Sequence, residues 1–277
     1  MLKIALTHDV DRIRKTYQYI TRSFKYLKKG DFKNIYREFL SIPTFNSVYW
    51  NFEDIMSIED SNNIRSTFFF LNESIPFNIL APDGWKLSLG RYKISEKKLK
   101  DIIHTLDTNG WEIGLHSSYN SYLNPKLIEK EKFLLESIVN HNIIGIRQHY
   151  LKLDIQTWWN QKNVGFSYDS SFGYTNKIGF KDDKIAPFRP FNDDFIVFPL
   201  CIMDSCFMND NEGFKKLDYI MEQIEKEEGI LVLNWHSNNF NERDFPNYKS
   251  TYIKLINIFK SNGAIFKTLG EYWHDLN

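Results

Sequence analysis

The stretch "LKIALTHDVD" (2–11) decides how the chain is read. An apolar run ends there in a histidine and two aspartates spaced one residue apart. A short apolar run without helical spacing reads as a strand buried on both faces. At a strand exit, residues i and i+2 point to the same side, so Asp9 and Asp11 can face one pocket. Two carboxylates that close raise each other's pKa unless a cation separates them. A divalent metal would take one and leave the other free as a base. The alternative for Asp11, just ahead of "RIRKTY", is a capping role on a following helix.

Similar apolar runs recur along the chain: "RSTFFFL" (65–71), "WEIGLH" (111–116), "NIIGIRQ" (142–148), "VGFSYD" (164–169), "FIVFPL" (195–200), "GILVLNWH" (229–236) and "GAIFKTL" (263–269). Helical periodicity fills 95–110, 125–142, 213–229 and 248–263, with Ser95 placed to cap the first and Gly110 and Gly263 placed to end their helices. Strand alternating with helix implies a parallel sheet with crossover helices. About seven or eight such units predict an α/β fold, a distorted (β/α)7-8 barrel, closed or nearly so. The whole of 1–277 reads as one such domain. Two segments, about 12–60 and 72–94, break the rhythm and read as insertions on the strand framework. The first is rich in Lys, Arg, Tyr and Phe; it reads as a solvated amphipathic helix pair, with a substrate or partner surface as the alternative.

Lys+Arg and Asp+Glu both total 35, so the net charge is zero, which argues against a nucleic-acid partner. Two cysteines, Cys201 and Cys206, are too few for a disulfide framework or a zinc ribbon and read as buried thiols. No apolar run approaches the ~20 residues of a membrane span. "LKIAL" is too short for a signal-peptide core, which sets the expectation of a cytoplasmic protein.

The unusual polar residues fall where a parallel barrel carries its chemistry, at the C-terminal ends of strands. The first run ends in His8, Asp9 and Asp11, the third in His116 followed by "SSYN", the fourth in Arg147 and His149, the fifth in Asp169 and the seventh in His236. Singly, each has a plain structural reading: His116 and His236 as satisfied core histidines, Arg147 as a structural ion pair. Together they point to one cavity. Asn120, four residues after His116, lies on the same side if a helical turn starts there.

These residues, in this order, resemble the polysaccharide deacetylase (NodB-homology) superfamily, carbohydrate esterase family 4. "THDVD" resembles the first motif, "STFFF" (66–70) the second strand, "HSSYN" the second motif, "RQHY" the third, "YDSS" (168–171) the fourth and "LNWH" the fifth. The resemblance covers nearly the whole chain and implies a NodB-type barrel. It implies a hydrolase that removes N-acetyl groups from a sugar or polysaccharide precursor, with a divalent metal, commonly zinc, as cofactor. It makes Asp9 the general base and Asp11, His116 and Asn120 the metal ligands. Arg147 would orient the base, His236 would be the general acid, and Asp169 would pair with Arg147 or His236. Leu233 would line the acetyl pocket, with Tyr150 and Trp235 also contacting substrate. The partner expected is an N-acetylated sugar or glycan.

Asn120 stands where the family carries a second histidine. An amide oxygen is a poor zinc ligand. Three alternatives stay open. His8 or His149 completes the site, although His8 should point away from Asp9 into packing. A harder ion binds partly through water. Or no metal binds, leaving a catalytically silent glycan-binding barrel or a metal-independent hydrolase of cyclic amides.

Overall fold

Alternation along the first strand, β1 (Lys3–Val10), sets up two cores. In the computed structural model, which describes residues 1–41, 48–73, 75–80 and 84–277, each face of β1 meets a different layer. Ala5 packs inside the sheet's curl with Phe69, Tyr168, Phe198, Leu200 and Val232. Ile4, Leu6 and Val10 pack on the outer face, in the layer shared with the helices.

The other strands are β2 (Thr67–Leu71), β3 (Glu112–Ser117), β4 (Gly145–Gln148), β5 (Tyr168–Asp169), β6 (Ile196–Val197), β7 (Leu200–Met203), β8 (Leu231–Asn234) and β9 (Ile265–Phe266). Their order is β6-β5-β4-β3-β2-β1-β8-β7, with β9 on β1, and all these pairings are parallel. The ends of this path meet along an irregular seam. There β7 meets the chain that follows β5: Leu200 N donates to Phe172 O (2.8 Å) and Gly179 N to Cys201 O (2.9 Å). The result is the distorted α/β barrel expected. The run 195–200 does not make one strand, because Pro199 lacks an N–H for the ladder and separates β6 from β7.

Helices Lys97–Thr108, Pro125–Val139, Thr157–Asn163, Gly213–Lys226, Tyr248–Ser261 and Leu269–Leu276 surround the strands. Gly110 and Gly263 follow their helices with positive φ (88° and 69°), as a terminating glycine should. Ser95 does not cap: Glu96 holds the N-cap position of its helix, without a side-chain bond.

The segment 12–60 holds three helices, α1 (Gln18–Lys28), α2 (Phe32–Ser41) and α3 (Phe52–Asp60). α3 is the crossover to β2: Phe52 and Ile55 are buried in the outer layer, and Phe52 stacks on Phe70 at 6.0 Å. α1 and α2 are mostly exposed. Their root is held by Lys15, buried between Glu38 (2.6 Å) and Asp244 (2.9 Å). The segment 72–94 returns through Tyr92. Its hydroxyl donates to Val10 O (2.6 Å) and accepts from Leu71 N (2.7 Å), tying it across the ends of β1 and β2.

His8 faces the outer layer, as alternation requires. It belongs to a buried knot around Glu59, whose carboxylate contacts His8 Nε2 (2.8 Å), Tyr252 OH (2.6 Å), Trp111 Nε1 (2.6 Å) and Ser66 Oγ (2.8 Å). His8 is therefore a packing residue and supplies no ligand to the site at the strand ends. Glu59→Leu strands four buried polar groups and should cost roughly 3–5 kcal/mol in urea denaturation, whereas Tyr252→Phe, which removes only one hydroxyl and its contacts to Glu59 and His8, should cost about 1–2 kcal/mol.

Candidate active site

Strand register brings the polar strand ends to one mouth. Thr7 pairs with Asn234, Leu71 with His116, His116 with Arg147 and Ile146 with Asp169. Inside the mouth, Arg147 is fully buried with each of its three nitrogens hydrogen-bonded. Nη1 reaches Asp9 Oδ1 and Thr7 Oγ1 (both 2.8 Å), while Nε and Nη2 reach Ser170 O and Ser170 Oγ (both 2.9 Å). The Phe69 ring lies 4.4 Å beneath the guanidinium. Gly114 makes room for that ring, because a Cβ there would come within 2.6 Å of it. Asn234 Nδ2 donates to the other Asp9 oxygen (2.8 Å). Burial alone would raise the Asp9 carboxyl, but Arg147, His116 and His236 outweigh it and hold it below the ordinary range. Asp9 is thus an ionised carboxylate locked in place.

Two residues on, Asp11 joins His116 and His149, and the three offer ligand atoms within 4.8 Å of one another. Asp11 Oδ1 lies 3.4 Å from His116 Nε2 and 3.6 Å from His149 Nε2. That oxygen is buried and has no hydrogen-bond partner among the described residues. His116 Nδ1 donates to Arg147 O (3.0 Å), and His149 Nδ1 donates to Glu73 Oε2 (3.3 Å). Each imidazole thereby turns its other nitrogen toward Asp11. Burial lowers His149 despite Asp11 and Glu73. Asp11 itself is held well below the carboxylate range: burial opposes this, but His149, His116 and Arg91 prevail. One carboxylate and two imidazole nitrogens form a donor set of the kind that holds zinc or a similar divalent ion.

Among His, Cys, Asp and Glu side chains of the described residues, the third member of the group is His149 rather than a further residue of the "HSSYN" motif. Asn120 is exposed, ahead of the turn Ser121–Leu123, and His149 takes the place expected of it. The backbone that follows His149 is one that ordinary propensity would avoid: Tyr150 and Leu151 both adopt left-handed φ (59° and 51°).

His236 faces the same mouth. It lines a cavity of about 310 Å³ with Asp11, Arg12, Gln18, Arg22 and Asp204. Asp204, at the exit of β7, accepts from His236 N (2.8 Å) and from Nδ1 (3.0 Å) and is itself held by Asn239 Nδ2 (2.7 Å). Burial would lower His236, but Asp204, then Asp11 and Asp9, raise it to about 10. It is an imidazolium at neutral pH with Nε2 free of Asp204.

Other expected residues lie elsewhere. Asp169 pairs with neither Arg147 nor His236. It accepts from Trp158 Nε1 (3.1 Å), Gln161 Nε2 (2.9 Å) and the Ser171 amide (2.8 Å), and so shapes the Ser170–Ser171 loop on which Arg147 rests. Leu233 and Trp235 are fully buried in the outer layer, Trp235 against Tyr248 and Tyr252. Strand parity requires this: Asn234 faces Asp9, so its neighbours in sequence face the helices. Neither touches the mouth. Tyr150 is half-exposed beside His149 and Tyr119.

Four residues that contribute here escaped the sequence reading. Asn234 sits two residues before His236 inside a motif already singled out, so parity could have found it. Asp204 carries no such signal, because the apolar run 195–200 ends four residues before it and β7 continues to Met203. Glu73 and Arg91 lie in the segment 72–94, where no periodicity gives a position.

No sequence-family model matches the chain, and no curated protein matches it in sequence. Solved structures do match it in fold. Puue allantoinase aligns with a TM-score of 0.60 at 12% identity, over 99% of this chain and 89% of that one. A protein from Pseudomonas aeruginosa PAO1 described as a polysaccharide deacetylase gives 0.58 at 12%, with the same coverage of 99% and 89%. One so described from Mycobacterium smegmatis gives 0.51 at 13%, over 97% and 93%. The chain shares the fold of these structures.

Asp204→Asn removes the anion that raises His236. In an NMR titration its imidazole pKa should fall from about 10 toward the ordinary value of about 6.5. The charged form of His236 favours the fold at neutral pH and ceases to do so as pH rises through about 10. That alkaline loss should move to lower pH in the variant.

Proposed function

We propose that the chain is a metal-dependent hydrolase that removes an N-acetyl group from a sugar or polysaccharide precursor. The observation that carries this reading is the sorting of charge around one cavity: an ionised carboxylate, Asp9, beside the Asp11–His116–His149 triad, with a protonated imidazole, His236, at the same mouth. Acetamide hydrolysis needs a base for water, an electrophilic carbonyl and an acid for the leaving amine.

A divalent ion held by Asp11, His116 and His149 would polarise the amide carbonyl and lower the pKa of water. The protein's own groups do the rest. Asp9, kept ionised by Arg147 and oriented by Asn234, takes the proton from water as its oxygen adds to the carbonyl carbon. His236, held through Nδ1 by Asp204, delivers the Nε2 proton to the sugar nitrogen as the C–N bond breaks. Acetate and a free amine leave. Tyr150, at the rim, is placed to contact the sugar.

A second reading has its own support. Arg91 Nη2 lies 3.4 Å from His149 Nε2, and Nη1 lies 3.9 Å from Asp11 Oδ1. This guanidinium supplies positive charge where an ion would sit, as a metal-independent hydrolase of amides would need. Chelation separates the two readings: turnover that survives it favours the second.

Purified protein incubated with N-acetylhexosamine conjugates and divalent ions should release acetate. Asp9→Asn should lower the rate about 10²–10⁴-fold, the range set by loss of a positioned base. No acetate from a broad substrate panel, with Asp9→Asn indistinguishable from wild type, would end this reading. Metal titration gives an independent check. Glu73→Gln should weaken zinc binding roughly 10–100-fold as a lost outer partner, and His149→Ala should weaken it more. Asn120→Ala should bind as wild type does.

A further inference from the structure

The α1–α2 hairpin packs with its amphipathic sense reversed. A surface helix normally turns its apolar stripe to the core. Here the inward contacts are largely polar: Lys15 between Glu38 and Asp244, with Arg22 Nη1 donating to Asp244 O (2.8 Å). Tyr19 is the one buried side chain of α1. The apolar stripes face out. Ile20, Phe24 and Leu27 follow i, i+4, i+7 on α1, and Phe32, Tyr36 and Phe39 do so on α2. All six leave more than half of their surface to solvent. Between the helices lies an open apolar groove of about 280 Å³, walled by Ile20, Phe24, Leu27, Ile35 and Phe39.

Charge follows the same pattern. Residues 12–40 carry nine Lys and Arg against two Asp and Glu, in a chain whose net charge is zero. Lys15 and Arg22 are engaged in the anchor, and Arg12 donates to backbone carbonyls. Lys25, Lys28, Lys29, Lys33 and Arg37 are exposed, and no carboxylate among the described residues pairs with them. Apolar stripes flanked by unpaired cations are complementary to an anionic lipid surface, where acyl chains take the stripes and headgroups take the lysines. A second copy of the chain fits poorly, because two such cationic hairpins would repel. Neither helix is long enough to cross a bilayer, and no helix of the described residues is long and apolar enough to do so.

We propose that this hairpin is a docking surface for anionic bilayers, lying in the interface plane. Gln18 and Arg22, on the inner side of α1, line the cavity that holds Asp11 and His236, so docking would bring the mouth close to the headgroups. The docking does not rest on the reaction assigned to the site.

The test is co-sedimentation of the full chain with phosphatidylglycerol/phosphatidylcholine vesicles and with phosphatidylcholine alone, at about 0.1 M salt. Binding is expected to the anionic vesicles and to fall as salt rises. The combined Lys25→Glu, Lys28→Glu, Lys29→Glu and Lys33→Glu variant should partition at least about tenfold less. Phe24→Ser with Phe39→Ser should do the same, and both variants should melt as wild type does. The inference is overturned by absence of binding to anionic vesicles, by partition unchanged in either variant, or by a dimer in solution that the phenylalanine variant dissolves.

Discussion

A guanidinium buried inside a barrel needs every donor met, and Arg147 imposes that demand on the whole mouth. Its partners come from β1 (Thr7 and Asp9) and from the loop after β5 (Ser170), while it rises from β4 over the face of Phe69. Losing Asp9 would leave a charge uncompensated in low dielectric, which costs several kcal/mol, and losing Thr7 or Ser170 would leave a buried donor unmet at a smaller cost. The strand ends are therefore tied to one another through a single cation. Asp169, which does not touch Arg147, serves the same end by holding the serine loop in position.

From that constraint the charges of the site sort themselves. Asp9 is stabilised as an anion by Arg147 and Asn234. Asp11, two residues further along, stands free of the guanidinium and faces two imidazoles whose other nitrogens are engaged by the Arg147 carbonyl and by Glu73. His236 is pushed the opposite way by Asp204. Groups of opposite charge, each with its own buried partner, are what lets one cavity hold an ionised carboxylate and a protonated imidazole at the same pH.

The two excursions from the barrel finish the mouth. One returns through Tyr92 and delivers Arg91 beside Asp11; the other hangs on the Lys15–Glu38–Asp244 cluster and lines the cavity with Gln18 and Arg22. Much of the fold was legible beforehand because apolar runs and helical spacing are local signals. The strand ends were legible too, since a parallel barrel converts order in sequence into position at a rim. The third triad residue was less legible. Asn120 has the expected offset from His116, but it is exposed at the entry to a short turn, while His149, at the end of the neighbouring strand, is buried beside Asp11.

By itself the sequence determined the alternating strands and helices, the placement of Asp9, Asp11, His116, Arg147 and His236 at strand ends, and the parity that sends His8 to the outer layer. Each follows from periodicity within a few residues. Only the tertiary structure decided that His149 joins Asp11 and His116, that Asp204 charges His236, that Glu73 and Arg91 frame the site, and that Leu233 and Trp235 face the helices. Those choices depend on which segments distant in sequence share a buried volume, and the need to pair buried polar groups selects them only once the barrel has closed.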